Sequence, residues 1–560
     1  MSDSITGGVW LLDQAESQVY TPERLSDEHR LIRQTVQDFV QQEVLPQLDR
    51  LEAKDWTLSR QLIRRCGDLG FIGVDMPEEY GGVGLDRTAA LVVSEQMATA
   101  ASFGPTFGAQ SNLTALPIAI FGTEAQKQQY LPRLLSGELV GAYCLSEPGS
   151  GSDALGARTR ATTQPDGSFV LSGEKAWITN GGFADVFIVF AKVDGDQFSA
   201  FIVERAFDGV SSGQEEHKMG LHGSSTTPVL FQEARVPAGQ LLGEIGKGHR
   251  IAFNILNFAR FKLGAMCVGG AQVAIAESSR YAAERRQFGQ PIASFGAIRH
   301  KLGEMVAQTY AAESLIYRTI GLIEARIAAT ADAEGSERAA LAAFEAFAVE
   351  ASIAKVFGSE VSDFVLDENI QIHGGNGFVR DYPAERRYRD ARVNRIFEGT
   401  NEINRLLIPG ILARRAAKGE LGIIPAALAL QDELLGAPAV TSPDDTPLAD
   451  ERRTMAGARK ATLMLLGLAM QTYRERLPDQ QEVLLAVADM LIDLYAGDSA
   501  LRRAGAAQDH PRAALHAAAA RVFVNDAALR IEMAGRQTLP ILAQGDTLRT
   551  WLAAHRRLFK

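Results

Sequence analysis

The sequence predicts a mainly α-helical protein with a central β domain, arranged α, β, α, and an additional α-helical domain at its C-terminal end. Three observations predict it. Apolar residues recur at helical spacing through the first quarter of the chain. A block of roughly 100 residues then switches to β-branched and aromatic runs broken by turn residues, and Ala- and Leu-rich helical segments occupy the remainder.

Over residues 27–43, Leu31, Ile32, Val36, Phe39 and Val40, continued by Val44, recur with the period of an amphipathic helix. Similar stretches continue to about Gly141, which gives an N-terminal α-helical domain, residues 25–141. FVLSGEKAWITN, DVFIVFAKV, FSAFIVE and TTPVLFQEARV, separated by Pro, Gly, Asp and Asn, predict a central β domain over 142–248. Segments 251–280 and 297–330 are each long enough to be a bundle helix, and they place an α-helical bundle at 249–416. Residues 417–560 form a C-terminal α-helical extension. It is interrupted at 436–450 by GAPAVTSPDDTPLAD, whose prolines and acidic turn residues predict an exposed linker. No fixed-period repeat is visible.

A chain of 560 residues with 46% hydrophobic and 22% charged residues is that of an ordinary globular protein of three or four domains. Its net charge of −11 argues against general affinity for nucleic acid or anionic lipid. Residues 411–560 carry 19 basic and 17 acidic side chains, so only that end could face a weakly acidic partner. Cys66, Cys144 and Cys267 are far apart and odd in number, which predicts no disulfide framework and a reducing, cytoplasmic location. The opening residues lack a basic stretch followed by an apolar one. The longest apolar run, ATLMLLGLAM at 461–470, is about half of the ~20 residues a spanning helix needs, so the chain is expected to be neither secreted nor transmembrane.

Several chemistries have no support. Neither His-Glu-x-x-His nor Cys-x-x-Cys occurs, so no metal site is expected. There is no nucleophile elbow, and GEIGKGHR at 243–250 lacks the spacing and the hydroxyl of a phosphate loop, reading instead as a turn. No Gly-x-Gly-x-x-Gly follows an early strand.

Five segments remain, each with a bland reading beside a chemical one. AYCLSEPGSGSDALG, at 142–156, could offer backbone N–H groups and hydroxyls to a heterocycle's edge and a pyrophosphate, or be a surface turn. In KAWITNGG, at 175–182, Trp177 and Thr179 share one face of a strand, where an indole could stack on a ring or simply fill a core. ERRQFGQPIASFG, at 284–296, offers Arg285 either as a phosphate grip or as part of a solvated charge cluster. QIHGGNGFVRDYPAERRYRD, at 371–390, runs from a helix end into a Gly-rich turn, with His373 reading as a packed helix residue. In RIFEGTNE, at 395–402, burial of Glu398 beside Phe397 would raise its pKa toward that of a general base; the alternative is a helix-end residue.

Together and in this order, the five segments resemble the acyl-CoA dehydrogenase family. The first matches the family signature Cys-Leu-Ser-Glu-x-x-Ser-Gly-Ser-Asp-x-x-Gly. The fourth matches its second signature through Gln371, Gly374, Gly375, Gly377, Phe378, Asp381, Arg386 and Asp390. The resemblance covers residues 25–415. The extra C-terminal domain, Phe295-Gly296 and ILNFARF at 255–261 look like the very-long-chain branch.

The resemblance implies FAD-dependent α,β-dehydrogenation of a long-chain acyl-CoA to its trans-2-enoyl-CoA in fatty acid β-oxidation. Glu398 corresponds to the catalytic base that removes the α-proton while a hydride leaves the β-carbon for the flavin. Some members carry the base just before the substrate-binding Arg, a place held here by Ala259. By motif match, Tyr143, Leu145, Ser146, Gly151, Ser152, Trp177 and Thr179 would hold the flavin ring and pyrophosphate. Arg285, Phe288, Gln371 and Gly375 would bind the adenosine and pyrophosphate portion from a neighbouring subunit, and Thr400 and Glu402 would complete the site. Glu402 departs from the usual Gln or Asp. Ser152, Asn257 and Arg260 match positions that contact acyl-CoA. Gly104, Gly108 and Ala109 look like a pocket floor open to a long chain.

A shared FAD implies a homo-oligomer, in this branch usually a dimer, with electron-transfer flavoprotein as acceptor and no nucleic-acid partner. The rivals are a scaffold protein that keeps the fold, against which the retained Glu398 speaks, a DNA-associated flavoprotein, against which the weak basic excess speaks, and an acyl-CoA oxidase. The segment IIPAALALQDELL at 423–435, the run 461–470 and the cations Arg452, Arg453, Arg459 and Lys460 together predict peripheral contact with a membrane surface through residues around 420–470.

Overall fold

In the computed structural model, residues 6–12, 19–435 and 446–559 are described. Seven helices build the N-terminal region: α1 (Asp27–Phe39), α2 (Leu48–Glu52), α3 (Trp56–Asp68), α4 (Arg87–Met97), α5 (Phe103–Gly108), α6 (Leu116–Phe121) and α7 (Glu124–Leu135). Their starts follow from local chemistry. Ser26 and His29 form a capping box at α1, and Thr123 and Gln126 form another at α7, so the first free backbone N–H groups are satisfied by side chains. Between α5 and α6, residues Ala109–Ala115 widen into a π-helical turn, an irregularity that often lines functional cavities.

The β domain is one eight-stranded sheet. Its strands are β1 (Gly141–Cys144), β2 (Arg160–Thr163), β3 (Phe169–Thr179), β4 (Val186–Val193), β5 (Gln197–Glu204), β6 (Val210–Ser212), β7 (Thr226–Val236) and β8 (Leu241–Leu242). They run in the order β6-β7-β3-β2-β4-β5-β8, with β1 pairing in parallel with β4. β4 is buried at seven of its eight positions, as expected of a strand covered on both faces.

The bundle begins with α8 (Gly248–Glu284), followed by a two-stranded hairpin, β9 (Arg286–Gln287) and β10 (Gln290–Pro291). It continues through α9 (Gly296–Glu334), α10 (Ser336–Ala346), α11 (Ala348–His373), α12 (Pro383–Ala391) and α13 (Asn401–Ala417). Glycines let α8 and α11 approach closely: a Cβ on Gly264 would lie 2.6 Å from the Ala354 carbonyl, and one on Gly358 would lie 2.9 Å from the Gly264 carbonyl. Among the described residues α8 alone is long and apolar enough to cross a membrane. Its most apolar window is 78% buried inside the protein, which makes it a core helix. This corrects the sequence-based measure, in which the run 461–470 set the apolar limit.

The C-terminal extension comprises α14 (Ile423–Leu435), α15 (Ala449–Tyr473), α16 (Gln481–Ala506), α17 (Ala513–Leu542) and α18 (Gly545–Leu558). Residues 436–445 of the expected linker lie outside the described residues. At the centre of this extension, buried Asp498 accepts from Arg459 at 3.0 Å, Arg502 at 2.7 Å and Arg318 of α9 at 2.9 Å, tying the extension to the bundle. Arg503 adds bonds to Glu23 at 2.5 Å and Glu313 at 2.6 Å. The membrane-surface expectation loses its physical supports here. Within 461–470 every residue is buried except Gly467 and Met470, which are half-buried. Arg459 is spent on Asp498, Lys460 on Glu433 at 2.5 Å, Arg453 on Asp450 at 2.8 Å, and Arg452 on the Pro447 carbonyl at 2.6 Å.

Candidate active site

The chain turns sharply into α13 through Glu398, Gly399 and Thr400. Glu398 has φ 58° and Gly399 φ 79°, two consecutive left-handed residues, of which only the glycine is at ease. A strained non-glycine residue of this kind costs about 1–3 kcal/mol and persists only where its surroundings over-determine it. They do. Asn404 Nδ2 donates to the carbonyls of Gly399 at 2.8 Å, Thr400 at 3.1 Å and Glu398 at 3.4 Å, and Arg260 Nε donates to the Glu398 carbonyl at 3.1 Å. Thr400 Oγ1 caps α13 by accepting from Ile403 N–H at 3.3 Å. From α11, Lys355 Nζ donates to Asn401 Oδ1 at 2.6 Å, while Asn401 Nδ2 donates to Ser359 and to Glu360, each at 3.0 Å.

Glu398, half-buried, lines a cleft between α8, the π-helical turn and α12. Burial pushes its carboxyl pKa up, while the charges of Arg260 and Lys355 pull it down without cancelling the shift. Burial lowers Lys355 to about 8 and also lowers Arg260. Ala259 lines the same cleft, so the alternative position for a base holds no ionisable group. The other walls combine small and apolar residues, among them Gly104, Gly108, Ala109, Leu263 and Met266, with the charged Lys262, Arg386, Arg387 and Asp390.

The turn after β1 forms the second part of the site. Glu147, buried at its start, accepts from Lys175 Nζ at 2.8 Å, Thr159 Oγ1 at 2.6 Å and Arg158 N–H at 2.6 Å, and Lys175 also donates to the Leu145 carbonyl at 3.2 Å. This buried pair pins the turn to β3 and leaves Pro148, Gly149, Gly151 and Ser152 exposed. A Cβ on Gly149 or Gly151 would touch nothing within 4 Å, so the turn borders open space. β3 bulges between Lys175 and Ile178, and Trp177 takes φ 57° there. The bulge aims the indole outward, 58% exposed, which excludes the core reading. Thr179, on the same face, lines the cleft. The Tyr143 hydroxyl is buried without a partner, and burial together with the Glu398 charge pushes its pKa well up.

These observations fit a planar, polar-edged cofactor laid against Trp177 and the 148–152 turn. They are an outward indole, an open glycine cradle, and an orphaned phenol beside the cleft. Leu145 and Ser146 are half-buried at the base of that turn, and the Ser146 carbonyl accepts from Ala176 N–H at 2.9 Å. Asn257 and Arg260 are both buried. Arg260 Nη1 donates to Asn257 Oδ1 at 3.2 Å, so Asn257 holds the guanidinium that bonds the Glu398 carbonyl. Arg285, Phe288, Gln371, Gly375 and Glu402 all lie exposed. Phe288 is 92% exposed at φ 51°, with an edge contact to Phe295. His373 is packed as expected, stacked 4.2 Å from the Tyr281 ring. Sequence reasoning missed Asn404, Lys355 and the Glu147–Lys175 pair. Glu147 and Lys175 lie on separate segments of the β domain, 28 residues apart, and meet only in the fold. No cluster of potential metal ligands occurs among the described residues.

Models of the acyl-CoA dehydrogenase family match four stretches of the chain. They are the N-terminal domain at 26–138, the middle domain at 142–234, the C-terminal domain at 246–412 and a further C-terminal domain at 457–557. The probable acyl-CoA dehydrogenase of Bacillus subtilis (strain 168) is 46% identical over 557 residues, 99% of this chain and 94% of that protein. The mitochondrial very long-chain specific acyl-CoA dehydrogenase of Homo sapiens is 43% identical over 353 residues, 61% of this chain and 51% of that protein, so the match spans about half of that relative. The crystal structure of acyl-CoA dehydrogenase complexed with FAD from Bacillus anthracis matches with a TM-score of 0.97 at 47% identity, covering 99% of this chain and 95% of that one. With all three shared domains and the C-terminal extension matched, and with the buried carboxylate set on its strained turn over the cleft, the chain belongs to the acyl-CoA dehydrogenase family.

Proposed function

We propose that the chain is an FAD-dependent acyl-CoA dehydrogenase that converts a long-chain fatty acyl-CoA to its trans-2-enoyl-CoA in fatty acid β-oxidation. The observation that carries this reading is Glu398, a carboxylate of raised pKa held on a strained turn at the cleft; Asp390, which lines the same cleft, is engaged by the Leu221 N–H at 2.5 Å. In the step, the Glu398 carboxylate takes the α-proton, the β C–H bond breaks with its electron pair, and the α,β double bond forms. FAD, when bound, supplies the acceptor for that electron pair. A base that must remove a carbon-bound proton works best with a pKa near the operating pH, which burial of Glu398 provides. The Glu398 backbone N–H, on this fixed turn, would serve the thioester oxygen, where negative charge develops.

Long-chain preference is supported by Gly104, Gly108 and Ala109, which take little volume from the cleft. Trp177, Thr179, Tyr143 and the 145–152 turn would hold the flavin ring and pyrophosphate. Arg285, Phe288, Gln371 and Gly375, exposed in one chain, would meet the adenosine end bound to a second chain, so the active form is a homodimer. Electron-transfer flavoprotein is the proposed acceptor. The three cysteines are free and buried, as suits a reducing, cytoplasmic setting. For a lipid surface the described part of 420–470 offers chiefly Ile424 and Leu428, so we expect no salt-dependent co-sedimentation with anionic vesicles. The test of function is anaerobic bleaching of the flavin by acyl-CoAs of increasing length. Bleaching strongest with long chains supports the reading; no bleaching at any length overturns it, and rapid reoxidation by O₂ would favour an oxidase.

A further inference from the structure

Among the polar groups that line the cleft, Lys262 is one that an unsubstituted fatty acyl chain does not call for. Lys262 lies on α8, one helical turn beyond Ala259, on the face that lines the cleft through Ala259, Leu263 and Met266. It is only 9% exposed. Its ammonium makes one hydrogen bond, to Asn112 Oδ1 at 2.8 Å, which leaves donors for a second acceptor. Asn112 is itself buried on the π-helical turn, lines the cleft, and presents its Nδ2 to the space beside Gly108, 4.0 Å from where a Cβ would stand.

The acid whose charge acts most on Lys262 is Asp75, and Asp75 is already engaged by Arg87 at 2.7 Å, with Arg87 also reaching Glu337 at 3.2 Å. Lys262 is therefore not the missing half of an internal ion pair. A hydrocarbon tail laid against it would desolvate an ammonium and an amide and return nothing, whereas an oxygen on the tail would accept from Lys262 or from Asn112.

We infer that Lys262 and Asn112 form a polar subsite in the acyl cleft that selects acyl-CoAs whose chain carries an oxygen, as hydroxyl or carboxylate, beyond the reacting carbons. The inference rests on the proposed dehydrogenase reading and deepens it by naming the acyl class. A site built to hydrogen-bond a substrate group rejects the analogue that lacks it. Asn112 already occupies part of the ammonium's capacity, so the discrimination is of order tenfold.

The test is kcat/KM of the FAD-loaded enzyme for equal-length acyl-CoAs: hexadecanoyl-CoA, its ω-carboxy analogue, and a series with a hydroxyl at successive carbons beyond the β-carbon. The wild type should prefer one oxygenated position by about tenfold. Lys262→Met should abolish that preference and improve the unsubstituted chain. Lys262→Gln should retain preference for the hydroxyl and lose it for the carboxylate, which separates the two sources of the oxygen. A wild type without preference, or a substrate ratio unchanged in both variants while FAD content and Tm show them folded, overturns the inference and leaves Lys262–Asn112 as a clamp between α8 and the π-helical turn. Should Lys262→Met not fold, Lys262→Gln decides alone. If hexadecanoyl-CoA reduces the flavin but the ratios ignore Lys262, only this inference fails; if no acyl-CoA reduces it, both fail.

Discussion

The turn that carries Glu398 and the hairpin that carries Phe288 belong to the same helical bundle, yet they are held in opposite ways. The first is strained, buried and fixed by hydrogen bonds from Asn404 and Arg260. The second is equally unusual in backbone, with Phe288 at φ 51°, but it stands 92% exposed with a single aromatic neighbour. Strain of this kind persists where surroundings enforce it. For Glu398 they lie within one chain; for Phe288 the proposed second chain and FAD supply them. The two halves of the site should therefore fail differently, one in rate and the other in cofactor retention and assembly.

The largest effect is expected at the first half. Glu398→Gln should lower the rate of flavin reduction by about 10³-fold or more while FAD binding survives, because the amide keeps the shape and cannot take the proton. Stability should move the other way. Burial raises the folded-state pKa of Glu398, so the folded state prefers its protonated form, and the ionised form costs stability as pH rises through that raised value. The amide removes this cost, so the variant's Tm near neutral pH should equal or exceed that of the wild type. The same shift predicts that wild-type flavin reduction falls, on acidification, at a pH above the ordinary carboxyl range. Stopped-flow rates across pH check both statements, and a variant that bleaches at a near-normal rate sinks the assignment of the base.

Asp498 sharpens the comparison from outside the site, since it is a buried carboxylate that joins the C-terminal extension to α9. Asp498→Ala leaves three guanidinium groups, those of Arg318, Arg459 and Arg502, without the carboxylate they share. Removing one partner of a buried charged network costs about 3–5 kcal/mol. Thermal unfolding should show that loss, with the rate of flavin reduction per folded molecule unchanged.

How much of this was legible in the sequence differs by the range of the interaction concerned. Helix and strand content follow from periodicity, and Glu398 stands beside Phe397 and Gly399 in a way that already hints at a buried carboxylate. What holds Glu398 is not legible, since Arg260 is 138 residues away in the chain and Lys355, behind Asn401, is 46 residues from it. The partners of two cations before 461–470 are hidden for the same reason, because the carboxylates that Arg459 and Lys460 meet, Asp498 and Glu433, arrive from other helices. Trp177 shows the limit of a strand pattern, since a bulge decides that it faces outward. Asn404, which sequence reasoning passed over, gives an intermediate prediction. Asn404→Ala should free the three carbonyls of the turn and lower kcat by about tenfold, about 1.4 kcal/mol, with little change in KM or FAD content. A change confined to KM would show that the turn does not need Asn404.

The smallest effect is expected at the second half, and it tests whether a second chain completes the site. Phe288→Ala removes a 92% exposed aromatic side chain whose one ring contact among the described residues is to Phe295, at a ring distance of 6.0 Å, so the isolated fold should lose little. An aromatic pair contributes about 0.5–1.5 kcal/mol beyond its buried area, and that is the scale on which FAD retention should weaken, roughly fivefold in Kd. Arg285→Ala, on the adjacent exposed position, should act in the same direction and loosen the oligomer as well, since one guanidinium would serve both cofactor and partner. Both variants should keep the wild-type pH profile of flavin reduction once saturated with FAD, because neither touches the Glu398 turn. Titration with FAD and elution volume in size-exclusion chromatography read the two expectations separately. Wild-type FAD affinity in a wild-type dimer for both variants would mean that this exposed hairpin is not the surface on which the second chain completes the site.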